Sequence, residues 1–318
     1  LGIKNNILFY AGIYVVDDVF VPVNQMCDRA HMALNTIKGH YKRRYAYYDE
    51  KMRETLLEEQ MLLREMELAL SSGQFCLHYQ PVYSIEKGRA VSAEALVRWR
   101  HPTMGVIPPV RFVPLFERNG FVVRLDRFAW EEACRMLSSR IRAGLPVVPV
   151  SVNVSRLNFY DGDFCDTVVE LLQKYELDPS LLRLEITESA YTDNPMQLLS
   201  VLKRLQELGL KILMDDFGSG YSSLNMLKNV TVDILKIDMG FVQNLEDSER
   251  APTILRRVVE MARDLQMDVI VEGVETKAQI DFLSSIGCDK IQGYYFAKPM
   301  PQEDFLARIE KEAKEAEE

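Results

Sequence analysis

The chain has 318 residues, 47% of them hydrophobic and 27% charged. This excludes a mainly disordered protein and provides for a sizeable core. Its 47 acidic against 38 basic side chains give a net charge of -9, so no nucleic-acid polymer is expected as partner; a small anionic ligand stays open if metal ions supply positive charge.

At about 150 residues per domain, the length suggests two domains or one barrel with an appendage. Five cysteines, none in a C-x-x-C, read as reduced thiols of a cytoplasmic protein. The four histidines are too scattered to mark a zinc site. No apolar run reaches the roughly 18 residues of a membrane span, and no secretory signal opens the chain. The sequence starts at Leu1 rather than Met, so an excised piece is expected, whose parent carries a membrane or sensor region upstream.

In chain order, residues 1–45 read as a strand over 11–16, a loop and a helix over 23–38. That is too little to bury a core, so it reads as the tail of a domain. Residues 46–72 form a connecting helix, with Met52, Leu56, Leu63, Met66 and Leu70 on one face and Ser71-Ser72-Gly73 as its stop. It is either an amphipathic helix of its own domain or a connector carrying signals from upstream. From 73 to 312, strands are expected over 75–79, 90–99, 147–154, 182–187, 211–216, 234–237, 268–272 and 290–296. Helical patterns fall between most of them, as at 127–143, 164–175, 195–209 and 251–265. Residues 313–318 are a charged tail. Eight strand-helix units over roughly 240 residues suit an α/β fold closed as a (β/α)8 TIM-like barrel. A doubly wound sheet would open on a Gly-rich turn, which is absent.

The apolar strands end in polar groups: Glu94, Asn153, Glu185, Asp215-Asp216, Lys236, Glu272 and Gln292. In a barrel these ends converge on one mouth. Crowded carboxylates raise one another's pKa, and cations relieve them. Oxygen ligands without His or Cys indicate Mg2+ or Mn2+. Neighbouring strand residues point to opposite faces, so Asp215 and Asp216 share a centre only if the chain turns, as Phe217-Gly218-Ser219-Gly220 would allow. One aspartate can then bridge two ions, a pair suited to in-line displacement at a phosphodiester. Lys236 is either a salt-bridge partner or an ammonium that orients water. Arg98 shares a strand face with Glu94, and its fork suits a phosphate.

Glu94-Ala95-Leu96-Val97-Arg98-Trp99 resembles the signature of the EAL-domain family of cyclic-di-GMP phosphodiesterases. The resemblance covers about residues 68–311. It includes Tyr79-Gln80-Pro81, Ser151-Val152-Asn153, Leu184-Glu185-Ile186-Thr187-Glu188, Asp215 to Leu224, Leu235-Lys236-Ile237-Asp238, Glu272-Gly273-Val274-Glu275 and Gln292-Gly293-Tyr294. It implies a modified barrel whose first strand runs against the others, and hydrolysis of cyclic di-GMP to pGpG with two Mg2+ or Mn2+ ions. Glu94, Asn153, Glu185 and Asp215 would hold one ion. Asp215 would bridge to a second, shared with Asp216 and Glu272, the last alternatively a general base. Lys236 and Gln292 would position the attacking water, and Gln80, Arg98, Asp238 and Glu275 would meet the substrate. Glu188 would brace the loop that starts Phe217-Gly218-Ser219-Gly220 and couples the site to a homodimer interface. A silent cyclic-di-GMP receptor is the alternative; it needs only contacts such as Gln80 and Arg98.

The first 45 residues resemble the last strand and helix of a GGDEF (diguanylate cyclase) domain, on Ala11-Gly12-Ile13-Tyr14, Asp28-Arg29-Ala30, Ala33-Leu34 and Lys38. The GGDEF signature itself is absent, so synthesis of cyclic di-GMP is not expected.

Overall fold

The computed structural model describes residues 9–38, 43–187, 190, 195–218, 227–243, 245 and 250–316. They belong to two units, Leu1–Leu68 and Ala69–Glu318.

In the first unit β1 (Ala11–Ile13) and β2 (Tyr45–Tyr47) pair in parallel, with helix Val23–Asn35 between them in sequence. The strand expected over 11–16 therefore stops at Ile13. Tyr47, expected within the connecting helix, ends a strand instead, and that helix runs from Glu50 to Ser71. The alternating Tyr-Ala-Tyr run favours an extended chain, and Ile13 accepts a hydrogen bond from Tyr48 N at 2.7 Å.

The second unit is built on β3 (Phe75–Ser84), β4 (Arg89–His101), β5 (Gly105–Ile107), β6 (Val150–Asn153), β7 (Leu182–Thr187), β8 (Lys211–Phe217), β9 (Ile234–Ile237), β10 (Asp268–Val271), β11 (Lys290–Ile291) and β12 (Met300–Pro301). Strands β4, β6, β7, β8, β9, β10 and β11 pair in parallel, one after the next. β3 closes the ring and runs antiparallel to both β4 and β11. The barrel with one reversed strand agrees with the expectation. β5 and β12 add short antiparallel pairs outside it.

Several strand limits differ from the pattern-based ones, each for a local reason. β3 continues through Pro81 because Ala93, opposite it, gives its N–H to Pro149 on the other side; this pair asks no hydrogen bond of the proline. β6 starts only at Val150 because Pro149 lacks a donor. β11 ends at Ile291, where the chain bends to bond Gln292 O to Val274 N.

Side chains on one strand face recur every second residue. Val82, Leu213, Ile234 and Ile270 fill the barrel interior as a small apolar layer. Two residues from each, on the same face, come Gln80, Asp215, Lys236 and Glu272. The interior is thus apolar beneath and ionic at the mouth. The opposite strand faces pack into a large core that includes Trp130, Phe164, Leu184, Met214, Leu235 and Phe305, much of it contributed by helices such as Val122–Arg142, Phe164–Lys174 and Gln302–Glu315.

Candidate active site

At the centre of the mouth lies the Lys236 ammonium, 1% exposed. Its Nζ is 2.8 Å from Glu185 Oε2, 2.8 Å from Glu272 Oε1, 2.9 Å from Asp215 Oδ1 and 3.1 Å from Glu94 Oε2. Gln292 Nε2 donates to Glu94 Oε2 at 2.8 Å and to Gln80 Oε1 at 3.1 Å. Asn153 Nδ2 donates to Glu94 Oε1 at 3.3 Å. Residues from β3, β4, β6, β7, β8 and β9, with those just past β10 and β11, thus meet at one point.

A bulge in β8 brings in the adjacent aspartates. Met214 pairs with Leu235 and Phe217 with Ile237, so Asp215 and Asp216 together stand opposite Lys236. Asp216 adopts a left-handed φ of 56°. An extra residue of this kind re-aims side chains next to functional sites. The turn expected after the pair therefore begins within it. The acids form two groups, Glu94–Glu185–Asp215 and Asp215–Asp216–Glu272, each with carboxylate oxygens within 4.8 Å of one another. Asp215 belongs to both.

Four carboxylates surround one ammonium, with Asp216 beside them, and their pKa shifts follow from the imbalance. Burial acts to lower the pKa of Lys236, but Asp215, Glu185, Glu94 and Glu272 outweigh it and hold the ammonium well above its ordinary range. Burial and Glu94 push Glu185 well up. Burial, with Asp215 and Glu94, pushes Glu272 to about 7 against the pull of Lys236. Burial and Asp215 push Asp216 to about 6. Burial also opposes ionisation of Glu94, yet Lys236, Gln292 and Asn153 prevail and lower it.

The group fits divalent cations. Glu185 Oε1, Asp215 Oδ1 and Gln292 Oε1 are buried and accept no hydrogen bond; Asp215 Oδ1 is near Lys236 but outside hydrogen-bonding geometry. Buried acceptors left open in this way call for a partner, and an all-oxygen donor set suits hard ions. A cavity of about 310 Å³ opens above, lined by Gln80, Glu94, Asp215, Asp216, Glu272, Glu275 and Gln292, together with Leu96, Met239, Gly273, Gly293 and Tyr294.

Some expected residues lie elsewhere. Arg98 does not line this cavity; its Nη1 donates to Val97 O at 2.9 Å. Asp238 is also outside it, and its Oδ1 accepts Gly240 N at 2.8 Å. Phe217 is buried in the core, and Gly218 has a φ of 98°. Glu188, Ser219 and Gly220 fall outside the described residues.

Sequence reasoning assigned no role to Met239, Tyr294 or Asp126. Tyr294 follows Gln292-Gly293, which could have marked it. Asp126 gave no signal, because it stands between Arg124 and Arg127 like a surface residue. It is 8% exposed and accepts hydrogen bonds from Ser155 N at 2.8 Å and Asn158 Nδ2 at 2.7 Å. Burial pushes its carboxyl to about 7. It lines a second, largely apolar cavity of about 350 Å³, which also touches Leu96, Asn153 and Thr187.

An α/β barrel with an acid-rich mouth is the arrangement on which metal-dependent barrel enzymes build their sites. The particular family follows from comparison. The EAL domain profile matches residues 63–299, and the chain belongs to that family, whose phosphodiesterases are metal-dependent in general. The chain is 35% identical over 286 residues to the bifunctional diguanylate cyclase/cyclic di-GMP phosphodiesterase MucR of Pseudomonas aeruginosa, covering 90% of this chain and 42% of that protein. It is 36% identical over 285 residues to the cyclic di-GMP phosphodiesterase NbdA of the same organism, covering 89% and 36%. The chain thus spans well under half of these relatives. Among solved structures, the PaMucR phosphodiesterase in complex with c-di-GMP superposes with a TM-score of 0.73 at 38% identity, over 77% of this chain and 99% of that one.

Proposed function

We propose that this chain hydrolyses cyclic di-GMP to linear pGpG in a metal-dependent reaction. The observation that carries the reading is the pair of acid groups sharing Asp215, with buried carboxylate oxygens that accept no hydrogen bond. Membership of the EAL family and similarity to a c-di-GMP-bound phosphodiesterase domain supply the substrate.

Glu94, Asn153, Glu185 and Asp215 would hold one Mg2+ or Mn2+; Asp215, Asp216 and Glu272 would hold a second. The grouping of Glu272 with the two aspartates supports a ligand role over that of a general base. Such ions, when bound, polarise the phosphodiester and acidify a water. Lys236 keeps the acids gathered and presents an ammonium to the reacting oxygens, and Gln292 fixes Glu94 against Gln80. Gln80 and Glu275, on the cavity wall, would meet the substrate, as would Arg98 and Asp238 at its margin. Glu188 and the loop opened by Phe217-Gly218-Ser219-Gly220 would link the site to a homodimer partner. A silent receptor has no use for a complete acid set.

No helix among the described residues is long and apolar enough to cross a membrane. We place the activity in the cytoplasm, and read residues 1–45 as the end of a GGDEF domain. The parallel pairing of β1 and β2 is compatible with a larger sheet.

The test is turnover by Glu94→Ala and Asp215→Asn. Loss of an electrostatic group of this kind costs about 100-fold or more, read on variants first shown to be folded. Turnover near the unaltered level in either variant would contradict the assignment.

A further inference from the structure

Two of the acid-bearing loops carry a glycine just past the acid: Gly218 follows Asp216 by two residues, and Gly273 follows Glu272 directly. Both have left-handed φ, 98° and 70°. Neither has room for a side chain. A Cβ at Gly218 would fall within the Phe241 ring, and one at Gly273 would overlap the Cβ of Met239. Met239 and Phe241 belong to the same turn, which leaves β9 immediately after Lys236-Ile237.

That turn is firmly held. Asp238 Oδ1 accepts Gly240 N at 2.8 Å, and Asp238 O accepts Phe241 N at 3.1 Å. Val242 is fully buried. Gln279 Nε2 donates to Val242 O at 3.3 Å, while its Oε1 accepts Glu275 N at 2.7 Å. On its two flanks Asp238 N donates to Phe217 O at 3.3 Å, and Glu272 N donates to Ile237 O at 3.0 Å. The turn therefore stands between the loop that follows Asp215-Asp216 and the one that follows Glu272, in contact with both.

We propose that Met239 and Phe241 are positioning residues: a spacer, seated on two glycines, that sets the separation of the Asp215-Asp216 pair from Glu272. The proposal rests on the metal-dependent reading of the site. In a close-packed interior a contact without slack passes displacement to its neighbours. Removing the Phe241 ring lets the β8 loop settle toward the turn, and trimming Met239 loosens its fit against Gly273. The acids then lose their common focus while the barrel stays closed.

The experiment is Mn2+ binding to the purified chain without substrate, read from the electron-paramagnetic signal of free Mn2+. Phe241→Ala, Phe241→Leu and Met239→Ala are compared with the unaltered chain, alongside thermal melts in EDTA. Supporting residues around metal sites are worth about 10–100-fold in affinity. Phe241→Ala is expected to weaken Mn2+ binding about tenfold, at the lower end of that range, and Phe241→Leu to restore most of it. Met239, 41% exposed, is trimmed without threat to folding, and its variant also binds Mn2+ more weakly with an unchanged melt. Unaltered Mn2+ affinity in both alanine variants would overturn the spacer alone. Absence of Mn2+ binding by the unaltered chain would overturn the metal reading, and the spacer with it.

Discussion

At the scale of single residues, the mouth is dominated by Lys236 and the acids around it. Removing one partner of a buried ionic cluster leaves uncompensated charge, so these side chains depend on one another. Their convergence was legible in the sequence because each apolar strand run ended in a polar group. Asp126 was not legible, since a helix pattern does not say which charged residue is turned inward. It yields a prediction about pH. Its carboxyl has a pKa of about 7 in the folded chain, raised by burial from 3.8. Below about pH 4 the group is protonated in both states and costs nothing. Between about pH 4 and 7 the folded state retains a proton that the unfolded state has lost, so stability falls as pH rises. Above 7 the cost is complete, about 4 kcal/mol at most. Asp126→Asn removes this dependence. Its stability relative to the parent, read from denaturant unfolding, should improve from pH 5 to pH 8; an equal difference at the two pH values would contradict the assignment.

At the scale of elements, strand lengths decide where the expected residues stand. Arg98 does share a face with Glu94. However, β4 runs to His101 while its neighbour β6 ends at Asn153. Glu94 pairs with Ser151 at the mouth, and Arg98 stands four residues further along, at about 3.3 Å each, beyond the residues that line the cavity. The bulge at Asp215-Asp216 depends on register against β9, which no single segment encodes. A long-range tie of another kind joins helix Gln302–Glu315 to the hairpin of β3 and β4: Glu312 accepts hydrogen bonds from Tyr83 Oη and, at 2.9 Å, from Ala90 N. Glu312→Ala leaves both donors without this partner and is expected to cost about 1–3 kcal/mol. Chemical unfolding checks it, and a cost near zero would show that water replaces the carboxylate.

At the scale of the whole molecule, the net charge of -9 and the excess of carboxylates at the mouth argue the same way. On the proposed reading an anionic dinucleotide would meet a negative protein, and divalent cations would reconcile the two. The barrel was legible from eight repeats of strand and helix. The reversed first strand was not, because periodicity carries no direction; it came only with the family resemblance. The most direct measurement is incubation of the purified chain with cyclic di-GMP and Mn2+, beside the same mixture with EDTA, with products separated by chromatography. Release of pGpG with Mn2+ and none with EDTA is the predicted result. Cyclic di-GMP that stays intact although Mn2+ is present and both ligands are bound would contradict the account and leave a receptor in its place.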